Sequence, residues 1–113
     1  MTNIRIRKAT GTWVVRSGGA VLGESNNVLE LYEGDLDPVV YFPREDIAMV
    51  MLDQSDKTTQ CPHKGNASYF SIVNKSTVTE NAAWSYETPN TSVAAIKGYL
   101  AFVLSDSVKV EQL

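Results

Sequence analysis

The sequence has one cysteine, one histidine and four prolines in 113 residues, and it lacks any long apolar run. A single thiol, Cys61, forms no intramolecular disulfide and suits a reducing cytosol better than a disulfide-rich secreted scaffold. One Cys and one His also fall short of the roughly four ligands that a structural zinc takes. No metal and no cofactor are therefore expected unless carboxylates or a second chain complete a site. The opening residues, Met1-Thr2-Asn3-Ile4-Arg5-Ile6-Arg7-Lys8, carry charge where a signal peptide needs an apolar stretch, and nothing approaches the ~20 apolar residues of a membrane span. A soluble, cytoplasmic protein without a membrane partner is the expectation. Basic stripes are missing as well. Lysine and arginine are scattered singly, so a nucleic-acid backbone is a poor partner.

What is present suits one domain spanning residues 1–113. Hydrophobic residues make up 43% of the chain and charged residues 20%, and a chain this long buries roughly 65% of its unfolded surface. The net charge of -3 hides an asymmetry: from Glu24 to Asp56 nine acidic residues face one basic residue, Arg44, giving that stretch -8. A solvated acidic face explains it better than a metal cage.

Apolar residues recur mainly with a period of two and in short runs, the mark of half-buried strands. Ile4 and Ile6 alternate with arginines. Thr12 to Arg16, Gly18-Gly19 and Ala20 to Gly23 read as a hairpin. Further strands are expected at Val28–Glu33, Val39–Phe42, Ala67–Val73, Thr77–Thr79, Ala83–Tyr86, Tyr99–Leu104 and Val108–Val110, with a turn at Arg44–Asp46 and an apolar run at Ile47–Leu52. One short helix is expected near residues 91–97, where a serine precedes alanines after Pro89 and Gly98 follows. Many short strands with turn residues between them point to a mainly β domain, a pair of antiparallel sheets or a partial barrel.

Three places could carry chemistry. Cys61-Pro62-His63-Lys64-Gly65 gathers the only Cys and His beside a lysine, and a Cys–His nucleophilic pair is conceivable because residues two apart on an extended chain project to one side. Cys61 is thus a catalytic candidate, with no third, orienting group beside it. Gly34-Asp35-Leu36-Asp37-Pro38 places two carboxylates one residue apart, as in metal-dependent nucleotidyl transfer, but no phosphate-gripping loop accompanies them and a solvent-exposed turn accounts for them better. Trp84 and Tyr86 share one face of a strand, with Tyr41 and Tyr69 on others. Such a row is usually core, yet aromatics with polar tips beside a lysine and carboxylates also describe a site for a flat or cationic ligand.

The order of Glu33, Pro38, Tyr41-Phe42-Pro43-Arg44-Glu45-Asp46, Cys61-Pro62-His63-Lys64-Gly65-Asn66-Ala67-Ser68-Tyr69, Ala82-Ala83-Trp84-Ser85-Tyr86-Glu87-Thr88-Pro89 and Ile96-Lys97-Gly98-Tyr99-Leu100-Ala101-Phe102 resembles the bacterial family called domain of unknown function 427, over nearly the whole chain. The resemblance implies a β-tent, two antiparallel sheets meeting at an angle. Relatives of that fold carry zinc between paired Cys-x-x-Cys motifs, which are lacking here. The family is sometimes labelled a nucleotidyltransferase. These observations lead to a small-molecule-binding domain with its pocket between two sheets, lined by Glu33, Tyr41, Arg44, Asp46, Lys64, Tyr69, Trp84 and Tyr86, with Cys61 at the edge. The alternatives are a small enzyme acting through Cys61 or carboxylates, and a non-catalytic interaction module.

Overall fold

A computed structural model describes residues 3–113. They form a mainly β fold with ten strands: β1 (Ile4–Lys8), β2 (Trp13–Ser17), β3 (Ala20–Ser25), β4 (Leu29–Glu33), β5 (Val39–Tyr41), β6 (Leu52–Cys61), β7 (Gly65–Val73), β8 (Val78–Ser85), β9 (Ala101–Phe102) and β10 (Val108–Gln112). Every pairing is antiparallel.

Hydrogen bonding divides the strands into three sheets, β1-β4-β5, β10-β2-β3 and β6-β7-β8-β9, where two were expected. The first and third are joined at one point. Phe42, just past β5, exchanges both backbone hydrogen bonds with Leu100, just before β9, at 2.8 and 2.9 Å. Pro43 follows and has no N–H with which to continue the ladder. Two strand runs therefore meet at a seam one residue pair wide and diverge on either side of it.

Side-chain alternation sends adjacent residues of this joined sheet to opposite faces. Phe42, Phe70, Ile72 and Phe102 pack with Val15, Leu22 and Val108 of the β10-β2-β3 sheet. Tyr41, Ala67, Tyr86 and Ala101 take the other face with Leu31, closed over by Val93 and Ile96. Burying a side chain such as Phe42 stabilises the fold by roughly 1.5–3 kcal/mol. Its edge-to-face contact with Phe102, with centroids 6.0 Å apart, adds specificity of orientation.

Four details depart from the sequence reading. β6 is a ten-residue strand through Asp53-Gln54-Ser55-Asp56-Lys57-Thr58-Thr59-Gln60, where no strand was expected. It is an edge strand, mostly exposed, with a register shift between Gln54 and Thr58, so it shows no apolar alternation. The strand expected at Tyr99–Leu104 is only Ala101–Phe102, β9, preceded by the single bridge at Leu100, while the apolar run Ile47–Leu52 holds a 3-10 turn at Met49–Met51. The segments at 77–79 and 83–86 form one strand, β8, across Asn81, whose φ of 52° marks a bulge that Ser71 holds by a 3.1 Å hydrogen bond to the Asn81 amide. Finally, the helix near 91–97 is a 3-10 segment, Thr91–Ile96, broken at Val93 (φ -125°). Burying Val93 and Ile96, three apart, needs only i, i+3 spacing, and the segment is too short to repay α-helix nucleation.

The Gly18-Gly19 hairpin matches expectation, with Ser17 opposite Ala20 and Gly18 at φ 58°. Beyond it Val15 pairs with Gly23 and Arg16 with Val21, so Leu22 is a bulged residue. Its carbonyl accepts the Ala48 amide at 2.7 Å, and Gly23 bridges to Ile47. No helix of the described residues is long and apolar enough to cross a membrane.

Candidate functional site

Where the β4-β5 run and the β7-β8 run diverge, a cavity of about 200 Å³ opens. Its walls follow from strand parity. On β4, Leu31 and Glu33 share a face; on β5, Val39 and Tyr41 do; Tyr69 comes from β7; Trp84 is the penultimate residue of β8, and Tyr86 lies two residues on. Leu36 and Asp37, from the turn after β4, form the rim, and Lys64 reaches in from the β6-β7 hairpin. Six of the eight residues expected to line a pocket thus converge: Glu33, Tyr41, Lys64, Tyr69, Trp84 and Tyr86.

Lys64 is placed by its loop. The Lys64 amide donates to the Cys61 carbonyl at 3.2 Å, and Gly65 takes φ 111°, a conformation open to glycine. Asn90 pins the loop from outside: its amide donates to the Lys64 carbonyl at 3.0 Å and its Nδ2 to the Pro62 carbonyl at 3.1 Å. The Lys64 ammonium then meets the Glu33 carboxylate at 2.5 Å, with the two side chains 13% and 21% exposed. A pair this sheltered is screened far less than a surface pair. The lysine's charge is therefore answered within the protein.

The aromatic groups form a connected set. The Trp84 indole N–H donates to the Tyr41 hydroxyl at 3.4 Å, and the two rings meet edge to face with centroids 6.4 Å apart. Tyr69 lies 6.4 Å from Trp84 at an interplanar angle of 35°, and Thr59 donates to its hydroxyl at 3.3 Å. Burial pushes the Tyr41 phenol up to about 12, with the nearby Glu33 charge adding to the rise and the Trp84 hydrogen bond opposing it. Burial raises Tyr86 as well, reinforced by neighbouring Tyr41, Cys61, Tyr69 and Glu33. Both phenols are neutral hydrogen-bonding groups at physiological pH.

Trp84 also faces a second cavity. A more apolar groove of about 420 Å³ runs along Trp13, Pro38, Val40, Phe102, Val103, Leu104 and Val110, and shares Asp37, Val39 and Trp84 with the first. The indole thus stands in the gap where the two runs separate.

Arg44 and Asp46 do not reach the pocket. The 3-10 turn at Arg44–Asp46 carries them to the Phe42 side of the sheet. There Arg44 Nε donates to the Gly98 carbonyl at 3.0 Å, its Nη2 donates to Ser85 Oγ at 3.3 Å and pairs with Glu87, and its guanidinium lies over the Phe70 ring. Asp46 accepts the Ser25 hydroxyl at 2.6 Å. Both side chains brace the fold. Cys61 is half-buried against the Tyr41 and Tyr86 cluster but is not part of the lining, and His63 is exposed.

Leu31, Leu36, Asp37 and Val39 were missed. Leu31 and Val39 were detectable by parity with Glu33 and Tyr41; Asp37 read as part of an ordinary turn. Zinc does not fit: the chain has one Cys and one His, and among the described residues no three His, Cys, Asp or Glu side chains gather to hold an ion.

No curated protein matches the chain. A family model does, over residues 5–112, nearly the full length, and with it the chain belongs to the family described as a domain of unknown function (DUF427).

Proposed function

We propose that the protein binds a small molecule in the cavity between the β4-β5 and β7-β8 runs. The observation that carries this reading is the convergence of three tyrosines, a tryptophan and a sheltered Lys64–Glu33 pair on one space of about 200 Å³. A row of aromatics serving only as core would pack without leaving such a space. The cavity lies below the roughly 300–1,000 Å³ of drug-sized sites, so its ligand is fragment-sized, held with micromolar to millimolar affinity. Apolar contact comes from Leu31, Val39 and the rings, and polar contact from the phenols.

The test is a fragment titration followed by NMR at the Trp84 indole N–H, which sits between cavity and groove. Binders should shift that resonance together with the backbone amides of Leu31 and Val39, and the same amides followed in Trp84→Ala should report binding weakened by about 1–3 kcal/mol. If no fragment moves the resonance, or if Trp84→Ala binds as tightly as the parent, the cavity is a packing defect and the reading falls.

A further inference from the structure

The charges around the cavity do not add up to an anion site. Lys64 is the only cationic side chain in the lining, and Glu33 neutralises it at 2.5 Å. Asp37, on the rim, makes no ion pair among the described residues, so the lining carries one unanswered negative charge. The remaining lining is Leu31, Leu36 and Val39 and the rings of Tyr41, Tyr69, Trp84 and Tyr86. Aromatic faces attract cations through the ring quadrupole. One of these rings already does so: the Lys57 ammonium lies 4.7 Å from the Tyr69 centroid. Lys57 itself is exposed and outside the lining, so solvent screens its charge.

Ring geometry narrows the ligand's shape. Stacking a planar group between two rings takes about 7 Å, two contacts of roughly 3.5 Å each. Tyr69 and Trp84 are 6.4 Å apart and tilted by 35°. A flat body does not slide between them, whereas a compact, rounded head can rest against several rings at once.

Resting on the pocket reading above, we propose that the ligand is a small organic cation, an alkylated ammonium head seated against Trp84, Tyr41, Tyr69 and Tyr86 with Asp37 as its counter-charge.

Three probes of nearly the same shape separate charge from shape: choline, its neutral carbon analogue 3,3-dimethyl-1-butanol, and the anion 3,3-dimethylbutanoate. Each is titrated into the full chain, with the Trp84 indole N–H as readout. Choline should bind about tenfold more tightly than the neutral analogue, the factor that a cation–π contribution of ~1.4 kcal/mol corresponds to. The anion should bind most weakly. Asp37→Asn, at an exposed position where folding is not at stake, should reduce choline affinity severalfold while leaving the neutral analogue unchanged. Equal binding of choline and its neutral analogue overturns the cation proposal and leaves the pocket reading standing. Preference for the anion overturns it and makes Lys64 the anchor. An Asp37→Asn protein with undiminished choline preference overturns the role given to Asp37. If none of the probes moves the resonance, the cation proposal falls, and the pocket reading falls too if the wider fragment titration is equally silent.

Discussion

Replacing Arg44 with methionine keeps most of the aliphatic stem and removes the guanidinium, which the structure ties to three residues in two other parts of the chain. The Nε–H bond to the Gly98 carbonyl, at 3.0 Å, joins the 3-10 turn after β5 to the turn before β9. A hydrogen bond from a charged donor contributes about 1.5–3 kcal/mol, and with the side chain 34% exposed the lower figure applies. The Nη2–H bond to Ser85 Oγ is longer, 3.3 Å, but Ser85 is fully buried, so its loss strands a hydroxyl at a cost of roughly 1 kcal/mol. The pair with Glu87, which is 44% exposed, contributes about 0.5 kcal/mol or less. Together these give a loss of about 3 kcal/mol, or about 10 °C in Tm for a domain of this size. Thermal and urea unfolding monitored by circular dichroism measure it. Glu87→Gln is the matched control, expected to lose less than about 1 kcal/mol. Arg44→Met with Ser85→Ala should show a coupling of about 1 kcal/mol. A loss below about 1 kcal/mol for Arg44→Met refutes the bracing role. If that variant instead keeps its stability and loses ligand binding, Arg44 belongs to the pocket, as its sequence position first suggested.

Three further outcomes follow from the same geometry. Gly23→Ala places a Cβ 2.5 Å from the Asp46 carbonyl and 2.6 Å from the Ile47 side chain, so the β3 bridge must open at a cost of about 2–3 kcal/mol; denaturation that shows a change under about 0.5 kcal/mol contradicts the close approach. Glu33→Gln leaves the 13%-exposed Lys64 ammonium unpaired and should lose about 2 kcal/mol, much of it recovered in the double variant Glu33→Gln/Lys64→Met; a double variant no more stable than the single one counts against the pair. Raised phenols bind their protons more tightly when folded, so their contribution is complete below pH 10 and is lost as pH rises. For Tyr41, with its pKa at about 12, that is about 3 kcal/mol between pH 10 and 12, and absorbance titration should show two of the five tyrosines ionising only with unfolding. Five phenols titrating together near pH 10 would refute it.

The strands that were legible in the sequence are those that turn apolar residues to a core. Ile4 and Ile6 alternate with exposed arginines, whereas Val39 to Phe42 and Ala67 to Val73 meet a core on either face and read as short apolar runs. β6 was illegible for the converse reason. An edge strand, exposed along most of its length, selects for charge and polarity, and those residues read as a loop. β8 split into two because Asn81 is a residue that turns and bulges share. The helix near residues 91–97 was overread because a serine before alanines signals an α-helix start, while the demand here is only to lay Val93 and Ile96 over the second core.

The pocket was legible to the extent that parity determines it. Tyr41, Tyr69, Trp84, Tyr86 and Glu33 lie on strands or just beyond them, and an odd or even position fixes the face once the strand is known. Arg44 and Asp46 come after Pro43, where the strand ends and parity stops carrying information; a single 3-10 turn was enough to move both to the opposite side. Lys64 also sits in a turn, yet it does reach the pocket, because Asn90 holds its loop from a segment 26 positions further along the chain. Charge was the least legible property. Lys64 considered alone offers the site a positive charge, and it becomes half of a neutral pair only once β4 brings Glu33 to it. The sign of a site is set by which charges remain unpaired after folding, and here the one left on the rim is Asp37.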